Sequence, residues 1–195
     1  MRHLIALTAV CALAAFTVAC ASPASRFYTL NAATTPAATS SDLSVVVGPV
    51  SVPAVVDRPE IVVSTGPNQV RLDEFNRWAS PLQNNIARVV ADNLIAMLGT
   101  PRVTLFPQTL SADADYRVAI EVQSFDSAPG EAAAMDAVWT VRRTKDGRTE
   151  PGRTTVREAV QENGYDALAA AHSRAVARLS LDIADAVRAL DRSGP

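Results

Sequence analysis

The sequence is short of the residues that carry most protein chemistry. Its 195 residues include only two cysteines and two histidines. Zinc sites draw on several such ligands, so metal centres of that kind lack parts. Charge is scarce too, with 19% of residues charged and a formal net charge of −2. A nucleic-acid binder carries a basic excess, so that class is disfavoured. The sequence holds no Gly-x-Ser-x-Gly elbow, no phosphate-binding glycine loop and no dinucleotide fingerprint. With 48% hydrophobic residues, 8 glycines and 12 prolines, it is neither collagen, a coiled coil, a disulfide scaffold nor a wholly disordered chain. The length suits one ordinary domain plus attachments.

What is present begins with an export signal. Arg2 and His3 supply a short basic start, and Leu4 to Ala19 runs for 16 residues without a charge. That run is shorter than the roughly 20 residues needed to span a bilayer as a helix. A basic start, a short apolar core and small residues at its end describe a secretory signal. It ends in Thr17-Val18-Ala19-Cys20, which resembles a bacterial lipobox, although Thr17 stands where leucine is usual. Cysteine is needed there because its thiolate is the nucleophile that accepts a diacylglyceryl group. Cys20 is therefore the expected lipid attachment site, and Cys11 leaves with the signal. Three acyl chains anchor stably where one does not. Ala21, in place of an aspartate, points to outer-membrane sorting in a Gram-negative cell. The expected organisation is a signal peptide over 1–19, a lipidated tether over 20–25 and a single domain over 26–195. Cleavage leaves 176 of the 195 residues.

The mature part reads as an α/β domain. Arg26 to Leu30 predicts a first strand, and residues 31–42 a polar loop. Leu43 to Val56 predicts a valine-rich strand interrupted at Gly48-Pro49 and Pro53, where bends, bulges or an edge are expected. Ile61–Val63 and Val70–Leu72 predict a hairpin. Ser80, Pro81 and Gln83 predict a capped helix start. Leu82, Ile86, Val89, Val90, Asn93, Leu94 and Met97 keep helical spacing up to Gly99. Period-two alternation through 116–122 and 135–141 predicts strands, with Asp146-Gly147 as a hairpin turn before a strand over 154–160. A closing helix over 166–190 carries an apolar stripe. The expected fold is a mixed, largely antiparallel sheet with two long helices packed on it.

Candidate chemistry is thin. His3 leaves with the signal, so His172 is the only mature histidine, and it lies on an apolar stripe. Asp113 and Asp115 read as a solvated turn, and Asp57 as part of a polar turn. Asp73 and Glu74 are adjacent, so on a strand they point to opposite faces. No catalytic residue, metal site or cofactor is therefore expected beyond the covalent lipid. A hydrolase using Asp57, Asp73 or Glu74 is unsupported.

Several runs together resemble the PqiC family of ABC-type transport auxiliary lipoproteins. They are Cys20 with Arg26-Phe27-Tyr28-Thr29-Leu30, then Val47-Gly48-Pro49-Val50-Ser51-Val52-Pro53, then Asp57-Arg58-Pro59 with Ile61-Val62-Val63. The run Glu74-Phe75-Asn76-Arg77-Trp78-Ala79-Ser80-Pro81-Leu82 and the Gly164-Tyr165-Asp166 helix start complete the likeness. A tyrosine usual in the family is Val55 here. The resemblance implies a fold similar to the N-terminal domain of TolB and an outer-membrane lipoprotein facing the periplasm. It implies partnership with an MCE-domain protein and an integral inner-membrane component, PqiAB-like or an MlaE-type ABC permease, in lipid transport between membranes. It carries over no catalytic residues. Docking through loops or a sheet edge, in a homo-oligomer or not, is the expected mode. Trp78, just before the helix start, reads either as an exposed docking aromatic or, as is more usual for such a tryptophan, as a side chain closing the core over the helix end. The competing expectation is a regulatory or structural envelope lipoprotein that activates a cell-wall enzyme.

Overall fold

The computed structural model describes residues 23–35, 40–107 and 114–193. The signal, Cys20 and Asp113 lie outside the described residues. The chain forms β1 (Arg26–Tyr28), β2 (Val45–Ser51), β3 (Glu60–Gly66), β4 (Gln69–Trp78), α1 (Leu82–Leu98), β5 (Val103–Leu105), β6 (Tyr116–Ala128), β7 (Ala132–Arg143), β8 (Thr149–Ala159) and α2 (Tyr165–Arg192).

These strands make two mixed sheets. The larger has the order β5-β2-β6-β7-β8, with β5, β2 and β6 parallel and the rest antiparallel. The smaller has the order β1-β4-β3, with β1 parallel and β3 antiparallel to β4. The mixed α/β class with two helices is thus the one expected, its strands shared between two sheets. The punctuation read in β2 marks the division. A register shift falls between Val47 and Val50, at Gly48 with φ 117°, and the turn closed by Val56 N–H on Pro53 C=O at 3.0 Å leads the chain into the smaller sheet.

Alternation places the core. On β7, Ala133, Met135, Ala137, Trp139 and Val141 are buried, all on one face of the strand. Both helices cover that face, α1 against β2 and β5, α2 against β6, β7 and β8. Leu168, Ala175, Leu179, Ile183 and Leu190 form the buried stripe of α2 that their spacing predicts. Each such leucine or isoleucine contributes roughly 1.5–3 kcal/mol when fully buried. Asn93, the polar member of the α1 face, donates from Nδ2 to Ser180 Oγ at 3.1 Å, so the helices meet through a satisfied polar contact.

Two local expectations are corrected. Ser80 does not cap α1: Pro81 holds the N-cap position with no side-chain bond, and the Asn84 and Asn85 amides bond to its carbonyl, each at 3.0 Å. A residue before proline is driven toward extended backbone, and with Pro81 itself as the cap Ser80 falls one position too early. Gly99, by contrast, ends the helix with φ 65°, as read. At Asp146-Gly147, only Gly147 has positive φ, 74°. The turn there is longer than two residues, because the Gly147 amide bonds Arg143 C=O at 3.0 Å and Asp146 is held by the Arg143 side chain.

Candidate functional site

The sequence candidates divide once placed. Asp73 is buried, and its carboxylate accepts from the Phe75 amide at 3.1 Å, the Asn76 amide at 3.0 Å and Asn76 Nδ2 at 2.9 Å. The Tyr165 hydroxyl donates to its other oxygen, which also pairs with Arg71 at 3.2 Å. Burial pushes this carboxyl up, but the bonds from Tyr165, Asn76 and the backbone outweigh it and bring the pKa to about 2. Asp73 is therefore an ionised strut that shapes β4. Glu74 and Asp57 are exposed and do not converge with it. Asp115 accepts from the Ser44 amide at 2.8 Å and the Ser44 hydroxyl at 2.6 Å. Burial pushes its pKa up, but the Ser44 bonds outweigh that and hold it below the usual carboxylate value.

His172 is fully buried. Its ring stacks on Phe125 at 3.9 Å between centroids, and Nε2 lies 2.8 Å from Ser127 Oγ. Burial lowers its pKa to about 3, so the imidazole is neutral at physiological pH. Trp78, proposed as an exposed docking aromatic, is only 5% exposed and sits edge-on to Phe125 and His172, each at 6.1 Å. It closes the core and presents no face to a partner. The reason is strand parity: Trp78 is the last residue of β4, opposite Tyr28, and both turn inward. Among the described residues, no group of three or more His, Cys, Asp or Glu is placed to hold a metal ion, and no helix is long and apolar enough to cross a membrane.

What Asp73 shapes is the surface of the smaller sheet. Ile61 pairs with Asp73 and Glu60 with Arg77, so Glu74, Phe75 and Asn76 are extra residues in β4. An odd insertion reverses which residues face the core. Before the bulge Asp73 points inward and Val70 and Leu72 outward. Within it Phe75 points outward, and after it Arg77 points outward and Trp78 inward. The Arg77–Glu60 ion pair at 3.0 Å fits this arrangement. Phe27 pairs with Arg77 across the parallel ladder and so shares the outer face. Phe27 is 64% exposed, Val70 53%, Leu72 42% and Phe75 38%. The large sheet, by contrast, buries its aromatics.

This face is what sequence reasoning missed. In the sequence Phe27 and Phe75 carry no assigned role, and Val70 and Leu72 predict only a hairpin strand. The available signal was the sequence Gln69–Trp78 itself, whose apolar residues at 70, 72, 75 and 78 keep no single period of two.

The comparisons with known proteins agree with this fold. Two crystal structures superpose over most of the chain. One, of an uncharacterized protein, has a TM-score of 0.68 at 22% identity, covering 85% of this chain and 99% of that one. The other, of a Xanthomonas campestris protein of the DUF330 family, has a TM-score of 0.65 at 20% identity, covering 81% and 92%. No curated protein matches the sequence significantly. A family model for the ABC-type transport auxiliary lipoprotein component matches residues 28–184, from the end of β1 to within α2. The chain therefore belongs to the ABC-type transport auxiliary lipoprotein family, the same family as PqiC.

Proposed function

We propose that this protein is an outer-membrane lipoprotein, anchored through Cys20, that serves as a non-enzymatic auxiliary subunit of an MCE-type system moving lipids between membranes. The family match over residues 28–184 carries this reading, because that family is an auxiliary component of ABC-type transport. The lipobox-like Thr17-Val18-Ala19-Cys20 adds the anchor. The use of the buried Asp73 and His172 in internal contacts supports a scaffolding role over a catalytic one. In this role Cys20 holds the domain at the periplasmic face of the outer membrane, and the domain docks a membrane-anchored MCE protein and its integral inner-membrane component.

Two measurements test the reading. Radiolabelled palmitate enters the wild type and fails to enter Cys20→Ser; equal labelling removes the anchor. Crosslinking in intact cells followed by purification from membranes recovers an MCE-domain protein. Recovery of a peptidoglycan synthase in its place would favour the regulatory envelope lipoprotein. Transport is expected to survive Asp57→Ala and Glu74→Ala, and its loss in either variant would revive the carboxylate hydrolase.

A further inference from the structure

The outer face of the smaller sheet leaves two phenylalanines, a valine and a leucine in water. Phe27, Val70, Leu72 and Phe75 are four of the exposed large hydrophobic residues among those described, the first on β1 and the other three on the neighbouring β4. Folding does not force this exposure passively. A buried carboxylate, two backbone amides, Asn76 and Tyr165 are committed to the bulge that turns Phe75 outward. Such a cluster marks an interaction surface.

The chain leading into this sheet indicates the occupant. Residues 23–27 are exposed, and the fold starts at β1, the strand that carries Phe27. Between Cys20 and Arg26 lie six residue steps, at most roughly 21 Å when fully extended. A lipid on Cys20 therefore keeps Phe27 within reach of the interface at all times, whereas a protein partner has to be recruited. The nearby arginines are largely neutralised: Arg77 pairs with Glu60 at 3.0 Å and Arg71 with the inward Asp73 at 3.2 Å. Attraction to anionic headgroups is then weak, and apolar and aromatic insertion is the available force. Aromatic side chains favour the boundary between headgroups and acyl chains.

We infer that the outer face of the β1-β4-β3 sheet seats on the lipid bilayer surface, with Phe27 and Phe75 entering the interface, so that the acyl anchor and the sheet together fix the orientation of the domain. The inference rests on the Cys20 anchor of the proposed function. Seating of this kind holds the two helices and the outer face of the large sheet away from the membrane, free for transporter components.

The test uses the full chain, expressed with its leader, purified from membranes and reconstituted into phosphatidylcholine vesicles with brominated acyl chains. Single variants Phe27→Trp, Phe75→Trp and Ala119→Trp place an indole on the small-sheet face or, at the exposed Ala119, on the outer face of the large sheet. Trp78 and Trp139 are buried and supply a constant background. The indoles at 27 and 75 should lose about half their emission, since an interfacial face lies roughly 5–10 Å into the headgroup and acyl boundary. The indole at 119 should be unaffected. The quenching should also persist in high salt. Flotation reads the anchor and quenching reads the face. Vesicles that carry the protein without quenching at 27 and 75 overturn the seating and leave the anchor standing. A blue-shifted but unquenched indole at 75 overturns it too, because a protein then covers the face. Protein that fails to float overturns the anchor, and the seating with it.

Discussion

Gly152 pairs directly with Trp139 across the β7–β8 ladder, and the indole folds over the glycine. A Cβ at position 152 would lie 2.1 Å from the ring. The ring has no room to retreat, since its Nε1 donates to Thr154 Oγ1 at 3.1 Å and Thr154 donates to Asp182 on α2 at 2.6 Å. Gly152→Ala is therefore expected to destabilise by about 1–3 kcal/mol, the usual cost of overpacking, with the loss read from urea unfolding. Unchanged stability would mean that the ring moves freely. The requirement at 152 is steric, imposed by a residue 13 positions earlier, and nothing in the local run Thr149–Thr155 announces it.

Among the elements, α1 gives a paired test of where its stability resides. Ser80 makes no cap bond, so Ser80→Ala should fall within about 0.5 kcal/mol of the wild type in chemical denaturation. Gly99 sits at φ 65°, where a Cβ is strained, so Gly99→Ala should cost about 1 kcal/mol. The reverse order would restore Ser80 as the cap. In β4 the element depends on one side chain. Asp73→Ala removes the acceptor for the Phe75 and Asn76 amides and should cost about 2 kcal/mol, with faster amide exchange concentrated at those two residues. Uniform acceleration along the strand would show that the bulge is held by something else.

At the scale of the whole molecule, the smaller sheet, the larger sheet and α2 meet at one stack: Trp78 from β4, Phe125 from β6 and His172 from α2. The imidazole is buried neutral, with a folded pKa of about 3 against 6.5 in the unfolded chain. A depressed folded value means that the unfolded state binds the proton first. The stability is fully present above pH 6.5 and drains away as pH falls from there toward 3. Between pH 7 and pH 5 the loss should be about 2 kcal/mol, and His172→Phe should abolish most of it. The depressed carboxylates do not contribute in that window, because Asp73 and Asp146 reach about 2 from 3.8. Guanidinium unfolding at the two pH values separates the variants. Equal stability of the wild type at both would place the imidazole in contact with water.

Legibility in the sequence followed the range of the forces involved. The helix α1, the apolar stripe of α2 and the alternation in β6 and β7 are written in nearest neighbours and in periods of 3.6 and 2, so they are readable. The two parity reversals are not. In β6 a shift between Val122 and Ser124 brings Phe125 and Ser127 inward, and in β4 three extra residues turn Trp78 in and Phe75 out. A bulge depends on which strand lies alongside, and that partner is distant in sequence. The same cause explains why the sequence leaves Trp78 open between docking and core closure and assigns no role to the exposed pair Phe27 and Phe75. By itself the sequence determined the class of fold, the scarcity of reactive groups and the family likeness. Tertiary structure alone decided which aromatics are core and which are surface, because burial is settled by strand register and not by residue type.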